Sequence, residues 1–167
     1  IKVYTQPPKK SKRGQKINPS PVENFCKENK VDFKNPFTLN NDEELNNFKK
    51  LSPDIVVVVA YGNIIPKFFL EIAKFGFINI HPSLLPKWRG AAPIQRAIMN
   101  NDKEIGVSIM KIEEKLDSGP ILVKKELTLD QKSTHGEMEK LLSVLGANLL
   151  IENLENIENN NPKFISQ

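Results

Sequence analysis

One cysteine and two histidines in 167 residues leave little room for several kinds of chemistry. A single cysteine, Cys26, excludes an intrachain disulfide and suits a reducing compartment, so a cytoplasmic protein is expected. With His81 and His135 as the only imidazoles, and no HxxxH, CxxC or His-rich cluster, a catalytic metal has no support. Neither GxGxxG nor GxxxxGK[ST] occurs, so a nucleotide cofactor has none either. No apolar run approaches the length of a membrane span, and an opening with the charged Lys2 leads to the expectation of no signal peptide. Acidic residues are missing from the first 22 positions. Six of the 24 basic residues (Lys2, Lys9, Lys10, Lys12, Arg13, Lys16) fall there, which leaves 18 against 20 acidic groups in the rest. All the excess positive charge therefore lies in one short segment.

What is present reads as one domain with a real core, 39% of its residues being hydrophobic. Residues 1–5 alternate as a strand, and 6–19 read as a proline- and lysine-rich loop. Ser20-Pro21 is an N-cap with proline at the first helical position, opening a helix that carries Val22, Phe25 and Cys26. A second helix starts at Asn41–Asp42 and holds Leu45, Phe48 and Leu51. The run DIVVVVAYG (54–62) is the clearest strand, and its unbroken β-branched character predicts burial on both faces. Short helices at 66–73 and 93–99, a strand at 77–80 and two strands at 106–112 and 121–129 follow. His135 lies at a helix start, and the long helix after it has Met138, Leu141, Leu142, Leu145, Leu149 and Ile157 on one stripe. The alternation predicts an α/β fold, an open, mostly parallel twisted sheet with helices on both faces. Residues 1–158 form its domain, and 159–167 begin a linker.

In such sheets ligands bind beyond the carboxyl ends of strands. Three places qualify: Tyr61–Gly62, Asn79–His81 with the following loop, and the loop around Asp117. Asn79 and His81 are two apart on a strand and share a face. An uncharged amide donor beside a proton exchanger suits a carbonyl that turns tetrahedral, with Asn79 steadying the oxyanion and His81 moving the proton. On its own, a histidine at a strand end is more often merely structural. Asp117, in EEKLDSGP, is either a turn residue or the carboxylate that orients an imidazole. The loop SLLP (83–86) offers backbone amides and apolar side chains to a flat ligand, or simply packs on the sheet. Trp88-Arg89-Gly90 reads as a cation–π pair with a turn glycine. The basic run KKSKRGQK (9–16) is a solvated surface or a site for phosphates; lacking aromatics, it suits backbone contacts rather than base stacking.

INIHPSLLPKWRGAAPIQRAI followed by GVSIMKIEEKLDSGPIL closely resembles the folate-dependent formyltransferases, whose pattern is Asn-x-His, a SLLP loop and a later Asp-x-Gly. The resemblance runs over nearly the whole chain and is most specific in 54–122. WRGAAPIQ together with VYTQPPKKSKRGQKINPSPV is similar to the branch acting on methionyl initiator tRNA. The resemblance implies catalytic roles for Asn79, His81 and Asp117. It implies folate contacts from Ser83, Leu84, Leu85 and Pro86, with the Tyr61 region and the backbone of 112–116 as pterin walls. It also implies tRNA contacts from Lys10, Lys12, Arg13 and Lys16, 10-formyltetrahydrofolate as co-substrate, no metal, and a monomer. A family strand and helix bearing a GTP-x-F-like turn, and a C-terminal β-barrel, are not in this sequence, so a longer parent protein is expected. Two competing expectations are formyl transfer onto a sugar nucleotide or other small amine, and a non-catalytic tRNA-binding fragment.

Overall fold

The computed structural model describes residues 1–11, 16–159 and 162–167, and these form two compact units. The first comprises residues 1–51 and 61–66. In it, β1 (Val3–Tyr4) pairs in parallel with β4 (Phe33–Lys34), and β2 (Lys9–Ser11) pairs antiparallel with β3 (Lys16–Asn18). Within the expected 6–19 loop the described residues instead form two paired strands, because Lys9, Lys10 and Ser11 find backbone partners in Asn18, Ile17 and Lys16. Helix α1 (Pro21–Glu28) starts as its sequence dictates: the Ser20 hydroxyl accepts the Glu23 N–H at 3.0 Å, and Pro21 occupies the first turn. Cys26 is buried within it. Helix α2 (Asp42–Leu51) sets Phe48 edge-on to Tyr4, with ring centroids 5.5 Å apart. Burial, helped by the nearby Glu44 charge, pushes the Tyr4 phenol up to about 12.

The second unit, 52–60 and 67–167, holds a four-stranded sheet in the order β5 (Val56–Val58), β6 (Phe77–His81), β7 (Glu104–Lys111), β8 (Ile121–Thr128). The α/β class holds, but the sheet is mixed rather than mostly parallel. β5 and β6 run parallel, whereas β6–β7 and β7–β8 are antiparallel. For β7 and β8 the reason is the connection: they are joined directly by residues 112–120, a link that supports only antiparallel neighbours. The expectation that 54–62 is buried on both faces also fails, since Val57 and Val59 are 42% and 58% exposed. β5 is the edge strand of its sheet, so an all-valine sequence does not ensure cover on each side.

Between β5 and β6 lies the short helix α3 (Lys67–Leu70), and between β6 and β7 lies α4 (Pro93–Met99). The 24-residue α5 (His135–Glu158) covers one face of β6 and β7. Its start is a capping box: the Thr134 hydroxyl accepts from the Glu137 N–H while the Glu137 carboxylate accepts from the Thr134 N–H. Met138, Leu142, Leu149, Leu150 and Ile157 enter a core with Ile78, Val107 and Ile109. Leu141, expected on that stripe, is 52% exposed, and Gly146 stands in the interior instead. A Cβ at Gly146 would lie 2.7 Å from the Ile80 side chain, so this glycine sets how closely the helix approaches the sheet.

Alternation along the strands then decides the site. Ile78, Ile80, Val107 and Ile109 point toward α5, so Asn79, His81, Gly106, Ser108 and Met110 point the other way. Register agrees, as Asn79 pairs with Met110 and His81 with Ser108.

Candidate active site

The loop after β6 is pinned to this second face by one buried hydroxyl. Ser108 donates to the Ser83 carbonyl at 2.7 Å and accepts the Leu85 N–H at 3.0 Å. Ser83 donates in turn to the Lys87 carbonyl at 2.6 Å, and Lys124 reaches the Leu85 carbonyl at 3.1 Å. The Leu85–Pro86 peptide is cis. Ser83 and Leu85 are 1% and 0% exposed, so their side chains shape the loop from within, while Leu84 is half-buried and Pro86 exposed. Leu85 packs with Met110 and Ile121.

This loop carries Trp88 and Gly90 to His81. The buried imidazole donates from Nε2 to the Trp88 carbonyl at 3.0 Å; since a carbonyl only accepts, that nitrogen holds the hydrogen. On the other side of the ring, Nδ1 faces Asp117 Oδ2 at 3.7 Å, too long for a hydrogen bond but close enough for the charge to act. The same Asp117 oxygen accepts the Gly90 N–H at 2.8 Å. One loop therefore aims both the acceptor of Nε2 and a donor to the carboxylate. Asn79 lies on the same face of β6, about 6.6 Å of strand rise before His81, and is partly exposed.

Both segments are held in uncommon backbone conformations. Trp88 has φ 57° and Asp117 φ 44°, left-handed values that destabilise a side-chain-bearing residue unless neighbours enforce them. At Asp117 the enforcement is visible two residues on. A Cβ at Gly119 would lie 2.1 Å from the Lys111 carbonyl oxygen, so only glycine lets the turn lie against β7. At Trp88 it is Asp102, whose carboxylate accepts the indole N–H at 2.7 Å, the Asn100 amide at 2.7 Å and Lys87 at 3.3 Å. Burial pushes that carboxyl up, but the hydrogen bonds from Trp88, Asn100 and Lys87 prevail and hold it below the usual range. Beside it opens a cavity of about 390 Å³ lined by Ser83, Leu84, Lys87, Trp88, Asp102 and Ile105.

The structure thus brings His81 and Asp117 together and sets Asn79 on their face. Trp88 and Arg89 do not stack as expected: the indole goes to Asp102 and the guanidinium to Gln167. Sequence reading missed Ser108, Asp102 and Gln167, whose local contexts (GVSIM, NNDKE and KFISQ) carry no motif. Tyr61 belongs to the first unit, where burial raises its phenol pKa and its carbonyl accepts from Gln6. Of the basic residues, Lys10 is exposed on β2 and Lys16 pairs through its backbone with Ser11; Lys12 and Arg13 lie outside the described residues. Among the described residues no group of three or more His, Cys, Asp or Glu side chains is placed to hold a metal ion, and no helix is long and apolar enough to cross a membrane.

Residues 1–154 match the model of a family described as formyl transferase. A methionyl-tRNA formyltransferase of Pelagibacter ubique is 55% identical over 156 residues, a match covering 93% of this chain and 50% of that protein. The chain spans about half the length of the curated relatives it matches. Among solved structures, a phosphoribosylglycinamide formyltransferase from Anaplasma phagocytophilum superposes with a TM-score of 0.77 at 17% identity, covering 95% of this chain and 86% of that one. The formyltransferase PseJ from Anoxybacillus kamchatkensis, solved with a formamido sugar nucleotide and tetrahydrofolate, gives 0.69 at 24% identity, covering 100% and 82%.

Proposed function

The chain belongs to the formyl transferase family, and from that premise we propose that it forms the catalytic part of an enzyme that formylates the α-amino group of methionine on initiator tRNA, with 10-formyltetrahydrofolate as donor. The observation that carries this reading is the His81–Asp117 contact, with the opposite ring nitrogen fixed on the Trp88 carbonyl. The choice of acceptor rests on relatives between 43% and 55% identical that are all methionyl-tRNA formyltransferases.

The amine attacks the formyl carbon, whose oxygen becomes an alkoxide as the centre turns tetrahedral. Asn79 donates its amide N–H to that oxygen. His81 takes the proton from the attacking nitrogen and passes it to the departing folate nitrogen. Once protonated, the ring has an oxygen facing each N–H, Trp88 on one side and Asp117 on the other. Collapse of the alkoxide then expels tetrahydrofolate and leaves the formylated amine. The folate lies along the Ser83–Pro86 loop, touching Leu84 and Pro86, with the backbone of 112–116 as a further wall. The tRNA backbone is met by Lys10, Lys12, Arg13 and Lys16. The setting is the cytoplasm and the working form a monomer.

The test is formylation of charged initiator tRNA by the natural gene product and its Asn79→Ala variant. Loss of an oxyanion donor lowers turnover by about 10²–10³. Turnover within threefold of wild type would refute the role of Asn79, and transfer to an amino-sugar nucleotide in place of charged tRNA would refute the choice of acceptor.

A further inference from the structure

The described end of the chain does more than trail from α5. Ile165 makes a two-way backbone bridge with Ile121, both N–H to O distances being 2.8 Å, and Phe164 packs on the core beneath Lys111. These contacts deliver Gln167 to the two loops that hold His81. Its carboxamide oxygen accepts from Arg89 Nε at 3.0 Å and Nη2 at 2.8 Å. Its nitrogen donates to the Asp117 carbonyl at 3.1 Å and to the Gly119 carbonyl at 2.7 Å. Two bonds accepted and two donated use the full capacity of an amide side chain. No other side chain of this reach donates two such bonds and accepts two.

The bonds close a ring. Gly90, next to Arg89, donates to the Asp117 carboxylate, and Trp88, on the other side of Arg89, accepts from His81. Gln167 fastens Arg89 to the backbone of Asp117 itself. The turn at Asp117 sits at φ 44° and needs outside contacts to stay there. We propose that Gln167 is a positioning residue for formyl transfer, a clamp between the 88–90 loop and the 117–119 turn that keeps the Asp117 carboxylate on His81. The proposal rests on the formyl-transfer reading above for its chemistry, though not for its geometry.

Gln167→Met keeps the length and removes all four bonds. Gln167→Glu keeps the acceptor for Arg89 and turns an oxygen toward the two carbonyls. In the natural gene product, both variants should lower kcat about 10-fold or more, short of the ~10² that a 1 Å misplacement produces. KM for folate and for charged tRNA should stay within twofold. In an Asp117→Ala background, Gln167→Met should bring no further loss, because the clamp acts through that carboxylate. Arg89→Met should reproduce the defect from the other side, with the NMR signal of the Trp88 indole N–H, held on Asp102, reporting a folded loop. A readout independent of turnover is the pair of His81 ring ¹⁵N shifts, which Gln167→Met should move. Equal losses in both backgrounds would mean general loosening and overturn the proposal, as would unchanged kcat and unchanged shifts. Moved shifts in a protein that transfers no formyl group would keep the clamp and discard the function.

Discussion

Replacing Asp102 tests how the Trp88 loop is held. Its side chain is 6% exposed and accepts three hydrogen bonds, but the three are unequal. The Asn100 amide lies at the surface and returns to water on loss of its partner. The Lys87 side chain is 64% exposed, so that ion pair contributes at most about 1 kcal/mol. The part-buried Trp88 indole N–H has no such escape, and an orphaned donor there costs about 1–2 kcal/mol. Asp102→Ala should therefore destabilise the protein by about 2 kcal/mol. Asp102→Asn, whose amide oxygen still accepts from the indole, should lose about 1 kcal/mol or less. Urea unfolding followed by Trp88 emission measures both, and the emission maximum should shift in the alanine variant even when folded. The pH dependence has a definite sign. A carboxyl whose folded pKa is lowered contributes stability above its unfolded value of about 3.9 and loses it as pH falls through the folded value. The gap between wild type and Asp102→Asn should be full at pH 7 and shrink below about pH 4. An alanine variant within 0.5 kcal/mol of wild type, or a gap that widens in acid, would refute the reasoning.

Three further outcomes are expected. Gly119→Ala must push the Asp117 turn off the Lys111 carbonyl, lowering kcat at least 10-fold and stability by about 1–3 kcal/mol in a denaturant titration. Thr134→Ala removes the capping box of α5 and should lower stability by about 1 kcal/mol, with kcat unchanged in the formylation assay. Neutralising Lys9, Lys10, Lys12, Arg13 and Lys16 together should raise KM for charged tRNA and leave KM for folate untouched. Its dependence on salt should flatten by about 0.7–0.9 log units for each phosphate no longer neutralised.

Several features were legible because they depend on residues close in the chain. The Ser20-Pro21 start of α1, the helical entry at His135 and the shared face of Asn79 and His81 follow from local stereochemistry. Others misled for a single physical reason. An unbroken valine run reports that a strand can be buried, not what lies against it, and β5 is an edge. Leu141 fits the helical period as well as Leu142 does, but the sheet surface admits a glycine at 146 and leaves Leu141 outside. The lysine-rich 6–19 segment reads as a loop because its charges mask backbone pairing that depends on no side chain.

The sequence alone determined the chemical vocabulary of this protein: an amide and an imidazole two residues apart, a carboxylate 36 positions later, and charge gathered at one end. Tertiary structure decided how those groups are used. His81 takes its orientation from the Trp88 carbonyl, Asp117 takes its from the Gly90 N–H, and the loops carrying them are secured by Ser108, Asp102 and Gln167, up to 78 residues distant. A hydrogen bond specifies distance and direction in space while leaving separation along the chain free, so no local pattern could have announced those partners.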